Sequence, residues 1–180
     1  MLKFIVLLMV VMSLPAWSIS CTTETFNTIN KRLSYMQDVA LYKANNHLAI
    51  EDIARENIVI TASSNSAAKI GLDKESVKAF FIAQISAAKA IQYRYRADLL
   101  SNKTSHKPRD LNTIIRPQLI ELGSKINTQI AYCLKHGQPF TADQETGFIN
   151  ALNVDYLSNS DKKKLFNALI DIRLQPIKSH

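Results

Sequence analysis

The chain has 180 residues, 47% of them hydrophobic, with 22 Lys and Arg against 15 Asp and Glu and a formal net charge of +7. That length suits one domain with a core of ordinary size. The positive balance suits an anionic partner, but no basic run interleaved with aromatics supports nucleic acid, and without a Cys-x-x-Cys the two cysteines do not form a dithiol redox site.

Residues 1–20 read as a secretory signal peptide: Lys3, an apolar run from Phe4 to Met12, then Leu14, Pro15, Ala16 and small residues at Ser18 and Ser20. The run is shorter than the roughly 20 apolar residues a bilayer span needs. No later stretch is longer, so no membrane span is expected. The domain is then 21–180, periplasmic or secreted, and loss of Lys3 takes the charge from +7 to +6. Cleavage after Ser18 or after Ser20 fits. The second would leave Cys21 first and open lipidation, although Ser18-Ile19-Ser20 fits a lipoprotein site poorly. A bridge between Cys21 and Cys133 is expected in an oxidising compartment. Two unpaired thiols are the alternative, because sequence does not set the distance between their Cβ atoms.

Apolar residues then recur at helical spacing. Phe26, Ile29, Leu33, Met36 and Ala40 predict a helix over 23–46. A second, over 50–68, turns Ile53, Ile60 and Ala67 inward. Gly71 ends it, and Asp73 caps a third over 74–101 with Val77, Phe80, Phe81, Ile85, Ala88, Ile91 and Tyr95 on one side. Asn102 to Arg109 is a loop. The fourth helix, 111–135, has Pro117 in or near its first turn and ends at His136-Gly137. Thr141 and Gln144 have capping-box spacing for a short helix to about Asn153, and Ser160 caps a last one over 161–174. Residues 138–180 form a helical tail. The fold class is all-α, a single-domain bundle of about six helices.

No His-Glu-x-x-His, Gly-rich phosphate loop or Gly-x-Ser-x-Gly elbow occurs, so no cofactor or metal is expected. His47, His106, His136 and His180 are scattered. Attention falls on Arg32 to Glu56. Arg32 and Lys43, eleven residues apart, share one face of a straight helix about 16.5 Å apart. Asp52, Arg55 and Glu56 group at i, i+3 and i+4. Taken singly, Arg32 and Lys43 read as solvated cations, Asp52 and Arg55 as a surface pair, and Arg116 as a helix-entry arginine. Gln92 lies on the apolar side of its helix, where a buried amide needs partners or costs roughly 1–3 kcal/mol; an interhelical hydrogen bond would satisfy it. Together these residues describe an anion site without naming a reaction.

Joined, the motifs resemble those of the exported, all-helical chorismate mutases. They run Ile29-Asn30-x-Arg32-Leu33, Asp38-Val39-Ala40-x-x-Lys43, Asn46-His47-Leu48-x-Ile50-Glu51-Asp52-x-x-Arg55-Glu56, Gly71-Leu72-Asp73 and Phe80-Phe81-x-Ala83-Gln84-Ile85-x-Ala87-Ala88-Lys89-Ala90-Ile91-Gln92. The likeness covers about 26–98 and thins around Arg116. It implies an isomerase that rearranges chorismate to prephenate by electrostatic preorganisation, without nucleophile, metal or cofactor. Arg32 and Arg116 would bind carboxylates. Lys43 would serve a carboxylate and the ether oxygen, and Gln92 the same oxygen. Glu56 would take the ring hydroxyl, with Asp52 and Arg55 shaping that wall. Ala88 stands where relatives often have Ser or Thr, and Val59 where some have Gln, so both would line the site without a polar side chain. The resemblance also implies one complete site per chain and a homodimer. A non-catalytic exported protein that binds an anionic metabolite or a partner is the alternative, and a structural envelope protein a third reading.

Overall fold

The structure is a computed structural model and describes residues 20–176; the leader expected over 1–20 lies, but for Ser20, outside the described residues. Among the described residues there are seven α-helices: α1 (Cys21–Leu33), α2 (Met36–Asn45), α3 (Ile53–Lys69), α4 (Lys74–Asp98), α5 (Arg116–Lys135), α6 (Glu145–Ala151) and α7 (Asn159–Ile170). Among the described residues the one β-type pairing is a bridge between Leu72 and Leu174. The all-α expectation holds, and α1 with α2 corresponds to the single rod expected over 23–46.

That rod breaks at Ser34 and Tyr35, and the break has a local cause. The Ser34 hydroxyl donates to the Lys31 carbonyl at 2.8 Å, a side-chain bond that competes with the helical ladder. Arg32 and Lys43 therefore stand on separate helices rather than on one straight face. The second helix begins later than expected, with Asp52 as N-cap accepting from the Arg55 backbone N–H at 3.0 Å. Ile53, expected inward, is 58% exposed because it lies in that capped first turn, away from the core.

α4 begins as expected: the Asp73 carboxylate accepts from the Ser76 backbone N–H at 2.9 Å. Gly71, at φ +91°, makes the preceding turn in a conformation other residues rarely adopt. The fourth expected helix opens with a wide turn over Leu111–Ile115, and regular α5 starts only at Arg116. Pro117 sits in its first turn, where its missing N–H is tolerated. The last helix is capped by Ser158, not Ser160. Its hydroxyl accepts from the Asp161 N–H while the Asp161 carboxylate takes the Ser158 N–H, a reciprocal pairing that Ser160 lacks. The helix ends at Ile170, four residues early, because the chain leaves it to bond with the α3–α4 turn: Asp73 N–H donates to Arg173 O at 2.8 Å and Gln175 N–H to Gly71 O at 2.9 Å.

α4 is the central rod, packed against α2, α3 and α7, while α1 lies on α5 and α6. Phe26, Phe148 and Phe166 pack together from three helices, with Phe26 edge-on to Phe148 at 5.0 Å. Cys21 and Cys133 form a disulfide, with Cα atoms 5.8 Å apart. The bridge expected from sequence is present, and the Cys21 sulfur so engaged is not free to carry a lipid.

Candidate functional site

One cavity of about 430 Å³ opens between α1–α2, α3, α4 and the start of α5. Arg32, Lys43, Asp52, Arg55, Glu56, Val59, Ala88, Gln92 and Arg116 all line it. These are the residues singled out above, gathered from positions spread over more than half the described chain. His47 is exposed and outside the cavity.

Five cations face it (Arg32, Lys43, Arg55, Lys89 and Arg116) against two carboxylates, Asp52 and Glu56. Arg32 is 6% exposed, and burial lowers its pKa to about 10. One nitrogen donates to Gln84 Oε1 at 2.8 Å, and its Nε has no partner. Lys43, on α2, donates to the Ile50 carbonyl. Burial pushes its pKa below the ordinary lysine value, Arg116 and Arg96 push the same way, and Asp52 and Glu56 oppose. A negative ligand would relieve the strain these cations place on one another.

Gln92 is 5% exposed on α4. Its Nε2 donates to the Ala88 carbonyl at 3.1 Å and lies 3.7 Å from Met36 Sδ. An amide nitrogen has two hydrogens, and thioether sulfur is a weak acceptor, so an oxygen in the cavity can claim the second. Glu56 is held at both ends: Oε2 takes Lys89 Nζ at 3.2 Å, and Oε1 lies 3.4 Å from the Asp52 N–H. Burial alone would lower the Lys89 pKa, but the Glu56 and Glu51 carboxylates outweigh it and raise it. Asp52 acts as a helix cap rather than as a side-chain partner of Arg55. Arg116, half-buried, is bonded by Asn112 Oδ1 from the wide turn.

The sequence reading missed Lys89, Ser63, Ser66 and Asn127, which also line the cavity. Asn127 is 1% exposed and donates to the Ser63 carbonyl at 3.0 Å, tying α5 to α3. A signal for it existed: like Gln92, it is an amide inside an apolar helix stripe, between Ile126 and Ile130. Lys89 stands three residues before Gln92 and so on its side of α4.

The cavity thus presents cationic walls, a carboxylate held by a lysine, and an amide donor, on a helical bundle: the equipment to hold a small polyanion and press donors on one of its oxygens. Residues 20–93 match the family described as chorismate mutase type II. Over 153 residues the chain is 43% identical to a secreted chorismate mutase of Yersinia pestis, covering 84% of this chain and 82% of that one. It is 40% identical over 150 residues to a monofunctional chorismate mutase of Enterobacter agglomerans, covering 83% and 82%. The crystal structure of secreted chorismate mutase from Yersinia pestis superposes with a TM-score of 0.79 at 42% identity, over 84% of this chain and 98% of that one. The chain belongs to the type II chorismate mutase family.

Proposed function

We propose that this protein is an exported chorismate mutase, converting chorismate to prephenate. The observation that carries the reading is the cavity itself: every residue the family resemblance designates lines it, with five cations for a substrate of two carboxylates. Arg32 and Arg116 grip the carboxylates, and a guanidinium does so through paired N–H donors. Held this way, the enolpyruvyl arm lies over the ring in a reactive conformer, which removes much of the entropic barrier.

As the ether C–O bond breaks and the new C–C bond forms, negative charge grows on the ether oxygen. Lys43 and Gln92 donate to that oxygen and bind it more strongly as the charge develops, so they favour the transition state over the substrate. Glu56 accepts from the ring hydroxyl, with Asp52 and Arg55 completing that wall. Val59 and Ala88 supply apolar surface. An acceleration of roughly 10⁶ needs about 8 kcal/mol, and one well-placed donor supplies about 2.7–4 kcal/mol. Two donors and the positioning of the arm together reach that range without a nucleophile or cofactor.

The leader-like 1–20, the disulfide and the secreted relative support action outside the cytoplasm, in a periplasm or beyond it. The domain is 21–180, and its site is built from one chain, so a homodimer would not be needed to complete it; sedimentation of the mature protein measures that state. The test of the activity is the ultraviolet loss of chorismate with purified mature protein. Turnover is expected. Binding of the bicyclic dicarboxylate that mimics the transition state, without turnover, would replace the enzyme by a binding protein.

A further inference from the structure

Arg32 is a cation with little polar company, its guanidinium carbon lying 5.8 Å from the centre of the Phe81 ring. It is 6% exposed, and among the described residues its guanidinium makes one hydrogen bond, to Gln84, and no ion pair. Buried charges are ordinarily paired with opposite charge, because an unpaired one loses hydration without return. Here the acceptor is a neutral amide.

Gln84 is 0% exposed and sits behind Arg32 on α4, outside the cavity lining. Its neighbours on that face are Phe80, Phe81, Ala87, Ala88 and Ile91, all buried and apolar. A guanidinium offers only donors, so the Gln84 oxygen must face it, and Nε2 is left buried without a partner. An apolar residue would fill the stripe without that orphan, and a glutamate would neutralise the arginine. The amide does neither: it fixes the guanidinium and leaves its charge whole.

We propose that Gln84 is a positioning residue of the reaction, orienting Arg32 through a neutral acceptor so that the full charge of Arg32 is reserved for a substrate carboxylate. The inference rests on the chorismate reading and sharpens its binding step. It separates two effects that a purely structural glutamine would join. Gln84→Glu has nearly the same shape and gives Arg32 a better partner, so folding should hold or improve, while a carboxylate arriving in the cavity meets a pair already neutral.

The experiment compares wild type and Gln84→Glu in the mature protein by melting temperature, by KM and kcat for chorismate, and by calorimetric binding of the bicyclic dicarboxylate. The expected result is a melting temperature at or above wild type, with KM and the dissociation constant raised roughly 30-fold or more, the scale for losing one buried charge partner. kcat should change several-fold at most. Wild-type affinity in folded Gln84→Glu would overturn the proposal. Should that variant fail to fold, Gln84→Leu carries the test: Arg32 keeps its charge but loses its guide, so KM rises several-fold, and unchanged KM overturns the proposal. A wild type that binds the dicarboxylate but leaves chorismate intact removes the mutase reading, while the binding arm still tests Gln84.

Discussion

The two sides of α4 are built on opposite terms. Toward α7, which packs in turn on α6, it faces a shell in which Phe148, Phe166, Leu165 and Leu169 are 0–1% exposed. Polar groups there are paired: Tyr156 donates to Asp98 at 2.8 Å, and Arg94 bonds Asp161 and the Tyr156 carbonyl. Toward α2 and α3 it faces the cavity, where Arg32 Nε and Gln92 Oε1 are buried without partners. Orphaned polar atoms destabilise by about 1–3 kcal/mol each. A fold tolerates them where a ligand is to complete them and offsets them elsewhere. The comparison assigns stability to one side of the rod and chemistry to the other.

The largest expected effect tests the stable side. Phe148→Ala should lower stability by about 3–5 kcal/mol, as for other buried phenylalanines, with kcat for chorismate unchanged in the fraction that stays folded; thermal melts beside initial rates measure both. On the cavity side, Lys43→Ala should cut kcat by roughly 10²–10³, as loss of one oxyanion donor does, with the melting temperature near wild type. A variant that melted early at full turnover would erase the division. Reduction of the Cys21–Cys133 bond, which spans 112 residues, should cost about 2–4 kcal/mol in denaturant titration and leave KM alone.

The smallest effect is in pH. Burial lowers the pKa of Lys43 below its ordinary 10.5 and that of Arg32 to about 10. In both cases the folded protein disfavours the charged form. Rising pH therefore strips the site of protons before ordinary lysines titrate, and kcat/KM should fall on an alkaline limb below 10.5. A rate profile flat to that point would contradict the burial of these cations.

How far this was legible varies by element. α4 was legible nearly to its ends, because Asp73 caps it and its apolar stripe runs from Val77 to Tyr95, about five turns. The break at Ser34 was not, since apolar spacing continues across it and only the hydroxyl's bond to Lys31 interrupts the ladder. Ser158 and Ser160 both stand at the start of the last helix, the first as its cap and the second inside its first turn, and Asp161, three residues after Ser158, was the overlooked discriminator. Charge, spacing and helix face picked out Arg32, Lys43, Asp52, Arg55, Glu56, Gln92 and Arg116, and the family resemblance gave them roles and added Val59 and Ala88. Gln84 and Lys89 stand in the same motif but drew no role, because a residue that acts on its neighbour shows its purpose only when the neighbour is placed.

The Cys21–Cys133 bond has a further consequence should the chain be cut. It closes a covalent ring, and every cavity-lining residue, from Arg32 to Asn127, lies inside it. A single cut in the exposed stretch Asn102–Lys107 would open the ring without releasing a fragment. Arg109 would then hold the loop's far arm on α2 through Asp38, and His106, bonded to the same carboxylate, would hold whichever cut end carries it. Such a nicked molecule should run as two bands on a reducing gel and one on a non-reducing gel, and should keep its site. The staple is thus insurance on the integrity of the site, beyond its contribution to folding.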